Sequence, residues 1–152
     1  MGAAIGSDVP FFFSSGTAYC TGRGEILEPF VLPEPLTGWV AKPSYGLSTP
    51  LVYEHLRLGE LVPRDPRATL AAYPVFFNDL ESSSFRLEPR LKECRDVLRG
   101  FFTHVTMTGS GTAFFCLGGE PKPIDEISFF PFRSIQRDAW YSAEPKIRKI
   151  FY

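Results

Sequence analysis

Apolar and polar residues alternate along the chain in short blocks, and the clearest block predicts a helix. Its apolar positions follow one another at offsets of three, six and seven residues, and they are Leu91, Cys94, Val97 and Leu98. Spacings of this kind place side chains on one face of an α-helix. A proline before the first position and a glycine after the last are common boundary signals. We therefore predict a helix that begins at Pro89 and stops at Gly100.

A second pattern predicts β-structure in the last third of the chain. β-branched and aromatic residues are frequent in segments 105–108 and 112–117, and the glycine-rich segment 109–111 separates them. This arrangement is typical of two strands joined by a turn. Shorter runs predict strands around residues 39–41 and 127–132. Short helices interleaved with strands place the chain in the α+β or α/β class.

Fourteen prolines and 13 glycines divide the rest of the chain into short elements. A proline just after a capping residue indicates a helix start. This signal predicts a short helix after Ser7 or Asp8 and another over residues 50–58. Segment 17–25 predicts a strand with a glycine-rich turn. The proline-rich segment 28–38 predicts a connection and is the best candidate for a domain boundary.

Composition and charge exclude several classes of protein. The chain has 152 residues, of which 44% are apolar and 22% charged, as in ordinary globular domains. Sixteen basic and 17 acidic residues give a net charge of −1, without the basic patch of a nucleic-acid-binding protein. The apolar runs are far shorter than the roughly 20 residues that span a bilayer. We expect a globular chain with its own core and no nucleic-acid or membrane partner.

Cysteine and histidine usage disfavours disulfides and metal sites. The three cysteines, Cys20, Cys94 and Cys116, are widely spaced, and no pair has zinc-ligand spacing. A reducing compartment is therefore favoured. His55 lies in a predicted helix and His104 beside a predicted strand, where structural roles are commoner than catalytic ones. We assign neither histidine a role and no residue to a metal.

Two features are candidates for chemistry, and local pattern leaves each with two interpretations. Asp8 at a helix start is either a plain N-cap, which the pattern favours, or an ionised carboxylate that deprotonates an alcohol. Gly109-Ser110-Gly111 is either a tight turn between strands or a concavity whose N–H groups hold an anion.

Five segments, taken in order, resemble one family. They are residues 6–13, residues 16–25, Lys42-Pro43 with Ser48-Thr49, Asn78-Asp79-Leu80-Glu81, and Gly109-Ser110-Gly111. The family is 4-diphosphocytidyl-2-C-methyl-D-erythritol kinase, of the GHMP small-molecule kinase superfamily. It catalyses an ATP-dependent step of the non-mevalonate isoprenoid pathway. Segment 18–25 most resembles the plant plastid enzymes, which implies a plastid stroma location, with the cytoplasm as the alternative.

The resemblance implies roles for the candidate residues. Asp8 matches the family's catalytic aspartate, which activates the substrate hydroxyl that attacks the γ-phosphate of ATP. Segment 109–111 matches the glycine turn that supports the phosphate end of the site. Ser48 and Thr49 match the segment near the diphosphocytidyl substrate. ATP is the implied co-substrate, and its chemistry implies Mg²⁺.

The resemblance also implies an incomplete kinase. The family carries a catalytic lysine and a glycine-rich and serine-rich ATP loop ahead of the aspartate, and this chain contains neither. The chain therefore looks like a C-terminal half whose partner is the missing N-terminal half. Residues 1–38 are then the end of the ATP-binding domain, 39–137 an α+β substrate domain, and 138–152 a weakly ordered tail. Without that partner, we expect the isolated chain to associate and to lack activity.

Two alternative hypotheses remain open from the sequence. One is a short GHMP-fold protein that has lost phosphoryl transfer and acts as a binding module. The other is a GHMP kinase for a different small alcohol.

Overall fold

A computed structural model describes residues 6–7, 9–14, 16–72 and 76–134. Asp8 and the predicted 138–152 tail lie outside the described residues. Contacts divide the chain into two units. One is Leu36–Arg133, and the other contains the remaining described residues. After a short 3₁₀ helix, three strands precede the other helices along the chain and three strands follow them, and such separate runs are expected for the α+β class.

The unit that contains the N-terminal residues has a short 3₁₀ helix, Val9–Phe13, and one hairpin. Strands β1 (Ala18–Thr21) and β2 (Ile26–Pro29) pair antiparallel around a turn in which Gly22 and Gly24 have positive φ. The predicted strand and glycine turn are thus present. The predicted connection over residues 28–38 is wrong at both ends. The last two residues of β2 pair with the first two of β1, and residues 37 and 38 already belong to the next strand.

The larger unit contains an antiparallel sheet of four strands. These are β3 (Thr37–Pro43), β4 (Phe102–Met107), β5 (Phe114–Gly119) and β6 (Ile127–Arg133), in the spatial order β4-β5-β3-β6. Strand β3 pairs with β6 along its whole length and with β5 over Trp39–Ala41. The predicted strand, turn, strand in the last third of the chain is confirmed as the β4–β5 pair.

Four short helices accompany this sheet: α1 (Thr49–Glu54), α2 (Pro66–Ala71), α3 (Glu81–Leu87) and α4 (Pro89–Leu98). Helix α4 is the predicted helix, and it begins at the predicted proline. The prediction for residues 50–58 is wrong at its end, because the helix stops at Glu54. There Leu56 N–H donates to the Tyr53 carbonyl, an i→i+3 bond that tightens the last turn. None of the helices in the described ranges exceeds ten residues, so none is long enough to cross a membrane.

The core lies between α4 and one face of the sheet. Helix α4 contributes Leu91, Cys94 and Leu98, which pack with the buried strand residues Ala41, Phe102, Val105, Met107, Phe114 and Cys116. Burying one large apolar side chain contributes about 1.5–3 kcal/mol. The prediction that Val97 shares this face is wrong, because Val97 is exposed. At 100° per residue, an offset of six residues points about 120° away from the face.

Candidate functional site

The loop between β4 and β5, residues 108–113, is called the glycine loop below. The turn is closed by two hydrogen bonds, in which Thr108 N–H donates to Ala113 O (2.8 Å) and Gly111 N–H to Thr108 O (3.2 Å). Gly109 has a φ of 51°, a left-handed conformation that favours glycine, and a side chain there would meet only open space. The loop is therefore a tight turn with an open surface, so the two interpretations of this segment are compatible.

The structure brings the predicted substrate segment to the glycine loop. Thr49 Oγ1 lies 2.8 Å from Ser110 Oγ, although 61 residues separate them in the chain. Thr49 is the first residue of α1, and Ser48, its N-cap residue, makes no capping hydrogen bond with its side chain. The side chains of Ser48 and Thr49 are both exposed. Two hydroxyl groups, from two predicted segments, thus lie side by side at one surface.

Lys42 reaches the same loop from β3. Its ammonium group donates to Thr112 Oγ1 and to the Tyr45 carbonyl (3.3 Å). Thr112 is buried, whereas Lys42 is exposed. Within the described part of the chain, no carboxylate lies at salt-bridge distance from Lys42, and an ammonium group has three donors. Sequence reasoning included Lys42 in a family motif but gave it no role.

Asn78 and Glu81 hold the other side of the glycine loop. The Asn78 side-chain amide donates to the carbonyls of Met107 (2.8 Å) and Gly109 (2.6 Å). Glu81 Oε1 accepts the Met107 N–H at 2.9 Å. The sequence signal for these contacts is the motif Asn78-Asp79-Leu80-Glu81 itself, which belongs to the family resemblance but has no assigned role there.

An apolar cavity of about 490 Å³ lies next to the loop. Thr108 and Gly109 line one part of it. Most of the remaining lining is apolar and includes Leu36, Phe76, Phe77, Phe115, Leu117 and Phe132. The cavity therefore adjoins the loop.

Of the other candidate groups, those in the described residues do not join this site. Asp8 lies outside the described residues. His55 is exposed as the C-cap residue of α1, where its Nδ1 is 2.9 Å from the Leu51 carbonyl. Burial raises the pKa of Cys94 to about 11 and that of Cys116 to about 12, so both remain thiols at neutral pH. Across the described ranges, no group of three or more histidine, cysteine, aspartate or glutamate residues is placed to hold a metal ion.

Comparison with known proteins finds clear relatives. A 4-diphosphocytidyl-2-C-methyl-D-erythritol kinase from Protochlamydia amoebophila (strain UWE25) is 44% identical over 96% of this chain and 51% of its own length. The chloroplastic kinase of that name from Mentha piperita is 36% identical over 91% of this chain and 40% of its own length. No protein-family model matches the chain.

A solved structure agrees with these relatives. A crystal structure of 4-(cytidine 5'-diphospho)-2C-methyl-D-erythritol kinase matches with a TM-score of 0.65 and 41% sequence identity. The match covers 76% of this chain and 45% of that one. The chain therefore spans about half the length of the relatives it matches.

Proposed function

Since the chain belongs to the 4-diphosphocytidyl-2-C-methyl-D-erythritol kinase family, we propose that it contributes the substrate side of that phosphorylation. The reaction transfers the γ-phosphoryl group of ATP to a hydroxyl of the erythritol derivative. The observation that carries the proposal is the 2.8 Å contact between Thr49 and Ser110. It joins the segment assigned to the substrate to the segment assigned to phosphate.

The predicted site residues have complementary tasks in the proposal. Asp8 accepts the proton of the attacking hydroxyl, and general-base help of this kind contributes roughly 10²–10⁴-fold in rate. The glycine loop offers backbone N–H groups to phosphate oxygens. Ser48 and Thr49 offer hydroxyl groups to the diphosphocytidyl part of the substrate. Phosphoryl transfer depends mostly on such positioning and on charge neutralisation.

The negative charge of the ATP phosphates is neutralised in part by Mg²⁺ in reactions of this kind. ATP is the co-substrate in this proposal, and Mg²⁺ is expected to arrive with its phosphates. The residues described do not fit a dedicated Mg²⁺ site, because they hold no group of three suitable ligands. We therefore assign no catalytic step to a metal ion held by this chain.

The proposed partner is a polypeptide that carries the family's catalytic lysine and ATP loop. The chain matches about half of its relatives and contains neither motif. In this proposal residues 1–38 complete the ATP-binding domain, 39–137 form the GHMP C-terminal domain and 138–152 form a tail. A plastid stroma location follows from the plant-like segment 18–25, with the cytoplasm as the alternative.

The test is ATP-dependent phosphorylation of 4-diphosphocytidyl-2-C-methyl-D-erythritol. The chain is assayed alone and mixed with the half of the Protochlamydia kinase that it does not match. We expect activity only in the mixture and its loss with Asp8→Asn. Asp79→Asn is the matched control, because Asp79 pairs with Arg64 at 2.8 Å, where both side chains are more than a third exposed.

The outcomes separate the proposal from its alternatives. Activity of the mixture on another small alcohol but not on this substrate would indicate a different GHMP kinase. No phosphorylation in any arrangement, by folded protein, would overturn the proposal and favour a binding module. Activity that survives Asp8→Asn at the wild-type level would refute the role given to Asp8.

A further inference from the structure

We propose that Asn78 is a positioning residue that sets the orientation of the glycine loop and thereby the direction of the Ser110 N–H. The inference rests on the proposed function for its consequence in catalysis. Its structural part rests on two hydrogen bonds from Asn78 to residues that lie 29 and 31 positions later in the sequence.

The hydrogen bonds of Asn78 fix which way its side-chain amide faces. The nitrogen Nδ2 lies 2.8 Å from the Met107 carbonyl and 2.6 Å from the Gly109 carbonyl. Only a donor can face two carbonyl oxygens. On the other side, Oδ1 accepts the Leu80 N–H at 2.9 Å. Asn78 thus uses both donors on the loop and its acceptor at the start of α3.

This arrangement determines where the next N–H of the loop points. In a planar trans peptide the carbonyl and the N–H point to opposite sides. Because Gly109 O faces Asn78, the Ser110 N–H of the same peptide faces away from Asn78. No acceptor is hydrogen-bonded to this N–H among the described residues, whereas the Gly111 N–H is already used within the turn. Ser110 N–H is therefore a free donor that the loop can present to an oxygen of a ligand.

A second residue of the motif holds the strand end that precedes the loop. Glu81 Oε1 accepts the Met107 N–H, while Asn78 binds the Met107 carbonyl. Both backbone polar groups of Met107 are thus held by one segment. Glu81 Oε2 lies 3.7 Å from Arg95 of α4. The side chains of Asn78 and Glu81 therefore connect the strand end and the loop to α3 and α4.

The decisive variant is Asn78→Asp. Aspartate is nearly isosteric, and it keeps the oxygen that accepts the Leu80 N–H. It replaces the two donors with an oxygen that repels both loop carbonyls, so the peptide between Gly109 and Ser110 should rotate. Asn78→Ala removes the donors without that repulsion, and it replaces Asn78→Asp in the test if Asn78→Asp does not fold. Ser82→Asp is the matched control, because it adds the same negative charge at an exposed position of α3.

Two measurements test the proposal. In amide NMR spectra of the isotopically labelled chain, recorded in the mixture with the N-terminal half, we expect Asn78→Asp to shift the resonances of residues 109–111 and to leave those of α4 unchanged. In the reconstituted phosphorylation assay, we expect kcat to fall roughly tenfold or more, since a lost transition-state donor has effects of at least this order. The KM for the cytidyl substrate should change less than threefold.

The two measurements also distinguish the possible failures. Unshifted loop resonances in a folded Asn78→Asp or Asn78→Ala protein would overturn the positioning role whatever the activity. Shifted resonances with an unchanged kcat would refute its catalytic consequence. If the wild-type mixture has no activity at all, the proposed function fails, and the NMR measurement alone decides the structural inference.

Discussion

A methyl group at Gly38 tests how closely β3 approaches its neighbours in the central part of the sheet. An added Cβ would clash with the carbonyl oxygen of Cys116 and would lie 2.6 Å from Leu117 Cδ2 and 3.3 Å from Phe132 Cε1. Favourable carbon contacts are about 3.5–4.0 Å. The nearest obstacle is backbone, and Leu117 is buried, so neither can move aside without cost.

The expected cost of Gly38→Ala follows from these contacts. Overpacking of a well-packed site costs about 1–3 kcal/mol. Separation of β3 from β5 would also weaken the adjoining Trp39–Cys116 pair, where one hydrogen bond contributes about 0.5–1.5 kcal/mol. Lower entropy of the unfolded chain offsets about 0.4–1 kcal/mol. We therefore expect a net loss of about 0.5–4 kcal/mol, centred near about 2 kcal/mol, in the free energy of unfolding.

The assay is urea unfolding followed by far-ultraviolet circular dichroism. The matched control is Gly46→Ala, because Gly46 has a compatible φ and no atom within 4 Å of an added Cβ. We expect this control to be neutral or slightly stabilising. If the midpoints of the two variants give free energies within about 0.5 kcal/mol of each other, the close approach of β3 and β5 is not as described and the reasoning is refuted.

Three further predictions concern thiols, protons and a buried hydroxyl. Iodoacetamide at pH 8 should label the exposed Cys20 quickly and the buried Cys94 and Cys116 only after unfolding. Mass spectrometry of the intact protein would count the labels, and rapid labelling of all three cysteines would contradict the packing. A hydrogen bond from Arg90 lowers the pKa of Glu88. The ionised Glu88 carboxylate therefore stabilises the folded state above pH 4.5, and this stabilisation is lost as pH falls through the folded-state pKa. The urea midpoint should therefore fall less between pH 6 and pH 3 in Glu88→Gln than in the wild type, and equal falls would exclude this contribution. Ser84 Oγ is buried and has no hydrogen-bond partner among the described residues, so Ser84→Ala should keep or raise the melting temperature, and a clear drop would indicate a partner for this hydroxyl.

Local sequence pattern predicted elements well where short-range signals agree. The spacing of apolar residues and the boundary signals at Pro89 predicted α4, whose observed range is Pro89–Leu98. Alternating β-rich segments around glycines predicted the pair β4 and β5, and the strand predicted at 127–132 is β6. These signals suffice because the burial pattern repeats within a few residues.

Predictions from isolated local signals were less accurate. The helix predicted over 50–58 stops early, at Glu54, and Val97 faces solvent although it is apolar. Glu28 and Pro29 continue β2, although prolines indicated a connection. In each case the local signal was correct in kind, but pairing or helix geometry set the boundary or the face.

By itself the sequence determined the family, the class of fold and the segments on which the candidate site depends. Short runs of contiguous residues encode each of these features. The tertiary structure alone decided that Thr49 lies against Ser110 and that Asn78 binds Gly109. No local pattern encodes those contacts, since they join positions 61 and 31 residues apart. They follow from the antiparallel pairing of β4 with β5 and from the packing of the helices, which place three distant segments around one loop.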